Sequence, residues 1–243
     1  MPRFFMPEAG SLEKTVLITG RDAEHIRVLR MRPGEELTVC DGAGTDLVCR
    51  LIRSERELAE AEILRREICP GEPDISATVY CGLPKGDKTD LIIQKSVELG
   101  ASEIVFFDSE RVVQRTEGVG KKLDRWLRIS EEAAKQCGRG IIPPVRWKES
   151  FQDAMHEAAS KELALFMYET GDRTPLSAAL NGVRGRKSAA IVTGPEGGFE
   201  PEEAELAESL GMSVCSMGGR ILRCETAPLA ALTALMFAGG NLD

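Results

Sequence analysis

The C-terminal two thirds of this chain repeat one pattern, in which short apolar runs alternate with segments of helix length. The runs that read as strands are 77–83, 103–107, 164–168, 190–193 and 214–216, and the segments that read as long helices are 88–99, 121–137 and 227–238. Strands that alternate with helices are typical of βαβ units and a largely parallel sheet. The sequence therefore predicts an α/β fold with a mostly parallel sheet of about five strands.

The N-terminal part, residues 1 to about 72, has a different pattern. Short runs rich in β-forming residues, 15–18, 36–40 and 47–52, are separated by glycine and proline turns, which predicts a small β-barrel. Segment 57–68 suits either a strand or a helix, because Ala59, Ala61 and Ile63 alternate among helix-forming residues. Asp22 can cap a short helix that turns Ile26 and Leu29 to one side.

A cluster of chain-breaking residues separates these two patterns. Residues 69–73 read Cys-Pro-Gly-Glu-Pro, a composition that neither a helix nor a strand tolerates well. We therefore expect two domains, 1–72 and 73–243. The final helix is apolar on all sides, which indicates burial within the core or against another subunit.

Composition excludes several classes of protein. The chain has 243 residues, of which 42% are hydrophobic, enough for ordinary cores. It contains neither an apolar run of membrane-spanning length nor a basic, apolar signal pattern at the N-terminus, so we expect a cytoplasmic protein. Seven cysteines form no C-x-x-C pair, and with only His25 and His156 beside them we expect neither a disulfide framework nor a metal site.

The net charge of −8 is unfavourable for binding a polyanion, so local charge has to be considered. Segment 21–32 carries Arg21, Arg27, Arg30 and Arg32 against two acidic residues, which makes it a candidate surface for nucleic acid. Segment 200–208 contains five glutamates and no basic residue, and we expect it to face water.

Two glycine-rich segments, 193–199 and 217–227, follow directly after predicted strands. They read Thr-Gly-Pro-Glu-Gly-Gly-Phe and Met-Gly-Gly-Arg-Ile-Leu-Arg-Cys-Glu-Thr-Ala. In open α/β sheets ligands bind at the carboxyl ends of strands, and glycines let the backbone approach a flat ligand closely. These segments are therefore candidates for a ligand site, the alternative being two ordinary glycine turns.

Segment 82–89 resembles a phosphate-binding loop. It matches the pattern G-x-x-x-x-G-K-[ST] between a predicted strand and a predicted helix, except that Asp87 replaces the required glycine. The carboxylate and Cβ of Asp87 oppose a backbone curled around phosphate, so a nucleoside triphosphatase is disfavoured.

Five parts of the chain together resemble one enzyme family. These are the two glycine-rich segments, segment 85–100 (Lys-Gly-Asp-Lys-Thr-Asp to Glu-Leu-Gly), Arg3-Phe4-Phe5 and segment 25–30 (His-Ile-Arg-Val-Leu-Arg). In their order along the chain they are similar to the 16S ribosomal RNA (uracil-1498-N3)-methyltransferases, of the SPOUT class of RNA methyltransferases. The resemblance extends over essentially the whole chain.

This resemblance implies a fold, a cofactor and partners. It implies an N-terminal PUA-like RNA-binding barrel, which favours a strand over 57–68, and a C-terminal SPOUT domain with a deep trefoil knot. It also implies S-adenosylmethionine as methyl donor, no metal, a homodimer with the active site near its interface, and 16S rRNA of the small ribosomal subunit as substrate.

The resemblance also suggests site residues. Those implied for the cofactor are Tyr168, Glu169, Thr193, Gly194, Glu196, Gly197, Gly198, Met217, Gly218, Ile221, Leu222, Arg223 and Thr226. Those predicted to face RNA are Arg3, Arg27, Arg30, Lys85, Lys88, Arg111, Arg115, Gln136 and Arg139, with His25 more typical of a packing residue. Close relatives often have proline where this chain has Gly219.

Methylation of uracil N3 requires that its proton be removed or that the resulting anion be stabilised. Among residues near the glycine-rich segments, Arg223 is the candidate to stabilise the charge on uracil, and Glu196 or Glu225 the candidate to orient or deprotonate N3. Glu225 and Thr226 could instead cap the final helix, since Pro228 suits its first turn. The alternatives to a methyltransferase are an RNA-binding protein that uses only the barrel, and a nucleotide-dependent enzyme.

Overall fold

The computed structural model describes residues 1–109, 119–170 and 173–242. Within this range the chain forms two compact units. Unit 1 comprises Met1–Glu72 and Ala134–Ile142, and unit 2 comprises Pro73–Ala133 and Pro143–Asp243.

Unit 1 is built around a five-stranded sheet with the strand order β1-β3-β4-β5-β2. Its strands and its helix are β1 (Arg3–Phe5), β2 (Thr15–Thr19), α1 (Gly20–Val28), β3 (Glu36–Cys40), β4 (Thr45–Ser54) and β5 (Leu58–Ile68), with a short 3-10 helix at Pro7–Ser11. The pair β1–β3 is parallel and the other pairs are antiparallel. Segment 57–68, ambiguous in sequence, is thus a strand.

Buried and exposed residues alternate along β2, so that the core of unit 1 lies on one face of this sheet. Val16 and Ile18 of β2 are buried, whereas Leu17 between them is exposed. Two register irregularities in the β4–β5 pair bend the sheet around this core. Among the described residues the edge strands β1 and β2 do not pair, so the hydrogen bonds do not close the expected barrel.

Helix α1 begins one residue after Thr19, and Asp22 lies in its first turn. The predicted cap at Asp22 is therefore wrong, because the helix already includes this residue. The Asp22 carboxylate instead lies 3.6 Å from Nζ of Lys135. Ile26 faces the core as expected, but Leu29 is exposed.

Unit 2 contains a seven-stranded sheet with the order β10-β12-β9-β11-β6-β7-β8, in which every pair is parallel. Its strands are β6 (Ser76–Gly82), β7 (Glu103–Phe107), β8 (Val145–Lys148), β9 (Leu163–Met167), β10 (Thr174–Pro175), β11 (Ser188–Thr193) and β12 (Ser213–Ser216). Its helices are α2 (Lys88–Glu98), α3 (Val119–Cys137), α4 (Phe151–Ala159), α5 (Leu176–Ala179), α6 (Pro201–Ser209) and α7 (Thr226–Gly239). The last residues of α3 belong to unit 1.

The predicted α/β pattern is confirmed, with two more strands than expected. Strand β8 lacks an apolar run, since Arg146 and Lys148 flank Trp147 at the edge of the sheet. Strand β10 has only two residues. Neither feature carries the periodic signal that identifies a strand in sequence. The trefoil knot stays a prediction.

Helices cover both faces of this sheet. On one face, Phe151 and Met155 of α4 and Ala204 of α6 join a buried cluster with Phe107 and Phe166. On the other face, the ring of Trp126 in α3 packs 4.9 Å from that of Phe106. Helix α7 contacts β6, β11 and α2.

Helix α7 is only partly buried. Leu232, Leu235 and Met236 are buried, whereas 65% of Phe237 is exposed. The prediction of burial within the core therefore holds for one face of the helix.

Candidate functional site

The candidate site lies where three neighbouring parallel strands end. Strands β12, β9 and β11 are adjacent, so the segments that follow them meet at one edge of the sheet. They surround a cavity of about 370 Å³. Both glycine-rich segments contribute to it, as their positions after the strands predict.

Most of the residues predicted to bind a cofactor line this cavity. They are Tyr168, Glu169, Thr193, Gly194, Glu196, Gly198, Met217, Gly218, Ile221, Leu222 and Arg223. Gly197 and Thr226 are not among the lining residues, and Thr226 lines a second, neighbouring groove. Lys88, which was predicted to face RNA, lines the cavity as well. The residues that sequence reasoning missed are Met167, Pro195, Phe199, Cys215, Arg220, Cys224 and Ala227.

The glycines of the first segment allow close packing. Gly198 has a φ of +69°, and a Cβ built on it would lie 2.7 Å from Oε1 of Glu169. A Cβ on Gly194 would lie 3.2 Å from the backbone of Gly198. Both positions therefore bring backbone against the groups that line the cavity, where a side chain would displace them.

Phe199 anchors this segment in the core of unit 2. Its ring centroid lies 4.4 Å from that of Phe166 and 6.4 Å from that of Phe107, and the side chain is buried. Its position as the apolar residue that ends the glycine-rich segment is the sequence signal that could have indicated this role.

The segment that resembled a phosphate-binding loop has another structural role. A Cβ on Gly82 would lie 2.7 Å from the backbone nitrogen of Pro195, so Gly82 permits contact between two loops. The Lys88 ammonium lies 2.8 Å from Oε1 of Glu196 and 3.5 Å from Oε2 of Glu225. A lysine paired with carboxylates in this way is not placed to bind nucleotide phosphate.

Lys88 and the two glutamates form a charged cluster, of which Lys88 and Glu196 line the cavity, whereas Glu225 is not among its lining residues and joins the cluster through Lys88. Partial burial opposes ionisation of Glu196, but hydrogen bonds from Nζ of Lys88 and from the Lys85 amide outweigh it and lower its pKa. The pKa of Glu225 is lowered chiefly by its own backbone amide, with help from Cys224 and Lys88. Both carboxylates are therefore ionised at neutral pH.

A protonated thiol lies beside this cluster. Burial raises the pKa of Cys224 to about 11, and its Sγ lies 3.3 Å from Oε2 of Glu225. Nζ of Lys88 is 3.6 Å from the same sulfur. Cys224 is thus a hydrogen-bonding group at neutral pH and not a thiolate nucleophile.

Arg223 and Glu225 precede helix α7. Arg223 is exposed, lines the cavity and accepts hydrogen bonds at its backbone carbonyl from the amides of Thr226 and Ala227. In the described part of the chain the Glu225 side chain makes no capping hydrogen bond to α7. The capping alternative for Glu225 is therefore not supported, and the side chain is turned to Lys88.

Several of the residues predicted to face RNA are exposed, and others are paired with carboxylates. Arg27, Arg30, Lys85 and Gln136 are exposed, and His25 packs its ring 5.8 Å from that of Phe4. Arg111 and Arg115 lie outside the described residues.

Two of the residues predicted to face RNA, Arg3 and Arg139, are paired with carboxylates within unit 1. Nη1 of Arg3 lies 2.7 Å from Oδ1 of the buried Asp46. Arg139 is itself buried, and its Nη2 lies 2.7 Å from Oε2 of Glu72. Both guanidinium groups hold together unit 1, so contact with RNA phosphate would require breaking these ion pairs.

Neither a metal-binding cluster nor a membrane-spanning helix is found among the described residues. Within residues 1–109, 119–170 and 173–242, no group of three His, Cys, Asp or Glu side chains is arranged to hold a metal ion. No helix in that same part of the chain is long and apolar enough to cross a membrane.

Comparison with protein families finds matches in both parts of the chain. Residues 71–236 match an RNA methyltransferase domain. Residues 18–64 match an RNA methyltransferase PUA domain.

Whole proteins match as well. The chain is 35% identical over 231 residues to ribosomal RNA small subunit methyltransferase E of Bacillus subtilis, which covers 92% of this chain and 90% of that protein. It is 31% identical over 240 residues to the protein of the same name from Mycobacterium tuberculosis, which covers 95% of this chain and 88% of that protein.

A solved structure has the same fold. The crystal structure of a ribosomal RNA small subunit methyltransferase E from Neisseria gonorrhoeae, bound to S-adenosyl methionine, matches with a TM-score of 0.86. It is 36% identical in sequence, and the match covers 98% of both chains.

Proposed function

Because the chain belongs to the ribosomal RNA small subunit methyltransferase E family, we propose that it methylates N3 of one uridine in 16S rRNA, with S-adenosylmethionine as methyl donor. The uridine is 1498 in the conventional numbering. The observation that carries this proposal is the cavity of about 370 Å³ at the ends of β9, β11 and β12, lined by both glycine-rich segments.

The cavity fits this donor. Met217 and Leu222 offer apolar surface for an adenine ring, and the backbone at Gly194 and Gly218 can approach its edge. When bound, S-adenosylmethionine supplies an electrophilic methyl group on a sulfonium. The remaining contacts would come from the lining residues predicted for the cofactor, while Gly197 and Thr226 would act through the loops to which they belong.

The charged residues at the cavity suit the acceptor. Uracil N3 carries a proton, and its attack on a methyl group requires that this proton leave. Glu196 and Glu225 are ionised and can accept a hydrogen bond from N3. Arg223, exposed on the cavity wall, would stabilise the negative charge that develops on the uracil oxygens.

The two domains would have different roles in the reaction. The PUA-like domain, 1–72, would bind RNA, and the methyltransferase domain, 73–243, would hold cofactor and uracil. Arg27 and Arg30 in the first and Lys85 in the second are exposed cations that can contact phosphates. Gln136 is exposed as well and could donate to RNA.

A homodimer is part of the proposal. A groove of about 1020 Å³ adjoins the cofactor cavity. It is lined mainly by α5 and the loop after it, by the loop that follows β12, and by α7. It is largely apolar, and Phe237 at its wall is 65% exposed. A second copy of the chain would cover this surface and bring further residues close to the cavity, with which the groove shares Met217 and Arg220. Because the substrate is ribosomal, the protein would act in the cytoplasm.

Label transfer tests this proposal. Purified protein is incubated with labelled S-adenosylmethionine and either 30S subunits that lack the modification or protein-free 16S rRNA. We expect incorporation of one methyl group per RNA into at least one of these substrates. Absence of label from both, with cofactor binding shown by calorimetry, would contradict the proposal.

A further inference from the structure

Lys88 connects the two loops that carry the candidate acceptor-binding carboxylates. It lies in the first turn of α2, whereas Glu196 follows β11 and Glu225 precedes α7. Its ammonium lies within 2.8 Å of Glu196 and 3.5 Å of Glu225. One cation therefore joins two anions that come from separate parts of the chain.

The hydrogen bonds leave room for a further donor. Nζ of Lys88 and the amide of Lys85 both bond to Oε1 of Glu196, at 2.8 and 3.0 Å, so neither of these bonds uses Oε2. A carboxylate that is held at one oxygen can accept an N–H group at the other. The anchored oxygen also fixes the direction in which the other oxygen can accept.

The electrostatic effect of Lys88 acts on both glutamates. Two carboxylates that share a site repel each other, which raises the pKa of one of them unless a cation lies between them. Here the hydrogen bond to Glu196 also raises the pKa of Lys88, so the lysine stays charged. The cluster is thus a cation shared by two anions.

We infer that Lys88 is a positioning residue for methyl transfer, which holds the Glu196 and Glu225 carboxylates together as ionised acceptors for the N3–H group of uracil. This inference rests on the proposed function, since it concerns the same site. It replaces the expectation that Lys88 binds RNA phosphate, because its ammonium is already paired with carboxylates.

The chemical step then balances without a further reactant. The bond from the methyl carbon to sulfur breaks, the bond to N3 forms, and the electron pair of the broken bond stays on sulfur. The N3 proton passes to the accepting carboxylate and then to water. Lys88 keeps its proton throughout and stabilises the carboxylates, which are weak bases but ionised and oriented.

Other ionisable groups face the same cavity and have to be separated from this effect. They are Tyr168, Glu169, Cys215, Arg220, Arg223 and Cys224. Among them, Cys224 contacts both Lys88 and Glu225. The test therefore follows the two glutamates directly as well as the activity.

The substitution Lys88→Met removes the cation, and Lys88→Arg keeps it. Lys95→Met is the matched control, because Lys95 lies on the same helix and pairs with Glu98 at 2.8 Å, away from the cavity. Thermal melting checks that all variants fold. Carboxyl-labelled glutamate in the free protein, with Glu196→Gln and Glu225→Gln used for assignment, gives the titration of each carboxylate by NMR.

In Lys88→Met we expect the pKa of at least one of the two glutamates to rise by about one unit. The rate of single-turnover methylation should then begin to fall with decreasing pH about one pH unit higher than in the wild type. The loss of rate relative to the wild type should be larger at pH 6 than at pH 8. Lys88→Arg should restore the wild-type profile, and Lys95→Met should match it. RNA affinity and its salt dependence should not change.

An equal loss of activity at every pH would overturn the inference, as would unchanged titration of both glutamates. Weaker RNA binding with a reduced salt slope would instead identify Lys88 as a phosphate contact. A wild-type protein without activity would overturn the proposed function and the inference with it. An active wild type whose Lys88→Met variant keeps the wild-type acid limb would overturn the inference alone.

Discussion

The carboxylate of Glu169 lies directly against the backbone of Gly198, so that a Cβ at residue 198 would stand 2.7 Å from Oε1. The two residues follow neighbouring strands, β9 and β11, and both line the cofactor cavity. Gly198 also has a φ of +69°, which favours glycine. The shape of the cavity therefore depends on the absence of a side chain at this position.

Replacing Gly198 by alanine should weaken cofactor binding, since Cβ must displace Glu169. We expect S-adenosylmethionine affinity, measured by calorimetry, to fall at least about tenfold, or about 1.4 kcal/mol. Gly211→Ala is the control, because Gly211 has a φ of +81° and its Cβ would meet no described atom within 4 Å. This control should lose about 1 kcal/mol of folding stability from backbone strain alone, at unchanged affinity. Equal affinities for wild type and Gly198→Ala would contradict the prediction.

Arg30 occupies a backbone position that glycine normally fills. Among the described residues it is the one non-glycine with a positive φ, 56°. The amides of Arg30 and Met31 donate to the carbonyls of Arg27 and Ile26, the two bonds that end a helix in a Schellman motif. A strained arginine in this place suggests that its side chain serves RNA binding.

Arg30→Gly should therefore raise the stability of the fold and weaken its binding to RNA. Relief of strain should raise the free energy of unfolding by about 1 kcal/mol. Loss of one phosphate contact should weaken binding to 16S rRNA and lower the salt slope of the affinity by about one. Arg30→Lys, which keeps charge and strain, is the comparison. If Arg30→Gly binds RNA as tightly as wild type, the RNA role of this residue is wrong.

Arg139 should matter for stability and not for RNA binding. Its guanidinium is buried against Glu72, which also accepts hydrogen bonds from the amides of Gly140 and Ile141 at 2.9 and 3.1 Å. Arg139→Met leaves the Glu72 carboxylate without its cation, and we expect unfolding by urea to show a loss of about 3 kcal/mol. Binding of 16S rRNA by the folded fraction should be unchanged. If the variant is as stable as the wild type but binds RNA more weakly, the prediction is wrong and Arg139 contacts RNA.

Glu157 should make stability depend on pH. Partial burial opposes its ionisation, but hydrogen bonds from Arg146, Lys148 and the Tyr80 hydroxyl outweigh burial and lower the pKa of Glu157 to about 2. Since the pKa is lower in the folded than in the unfolded state, this stabilisation is present above about pH 4.5 and is lost as the pH falls towards 2.

The substitution Glu157→Gln isolates this effect. The variant should be less stable than wild type at pH 7, and the gap between the two should narrow by about 1 to 2 kcal/mol at pH 3. Urea denaturation at both pH values measures it, with Glu205→Gln on the exposed face of α6 as the control substitution. A gap that stays constant between pH 7 and pH 3 would show that the Glu157 contacts do not form in solution.

Backbone features of the site could be predicted from sequence because they depend on local pattern. An apolar run followed by Thr-Gly-Pro-Glu-Gly-Gly places a glycine-rich turn at a strand end, and in a parallel sheet such ends lie at one edge. This is why the pattern predicts that the two glycine-rich segments form a ligand site, whereas the individual lining residues, such as Thr193, Gly198 and Leu222, were implied by the family resemblance.

Side-chain pairings could not be predicted in this way. Arg139 and Glu72 are far apart in sequence, and an arginine that follows a helix reads as an exposed cation until its partner is known. The same applies to Lys88, whose partners lie in two other loops. Edge strand β8 was missed for a related reason, since Arg146 and Lys148 read as solvated cations in the sequence, whereas both pair with Glu157 in the structure.

The most direct test of the proposed reaction identifies the modified nucleoside. 30S subunits that lack the modification are treated with labelled S-adenosylmethionine and the protein, and the RNA is digested and mapped by mass spectrometry. We predict 3-methyluridine at a single position of 16S rRNA, with loss of the label when Arg223→Ala replaces the wild type. Label at another atom of uracil, at a ribose hydroxyl or in another nucleotide would contradict the proposal.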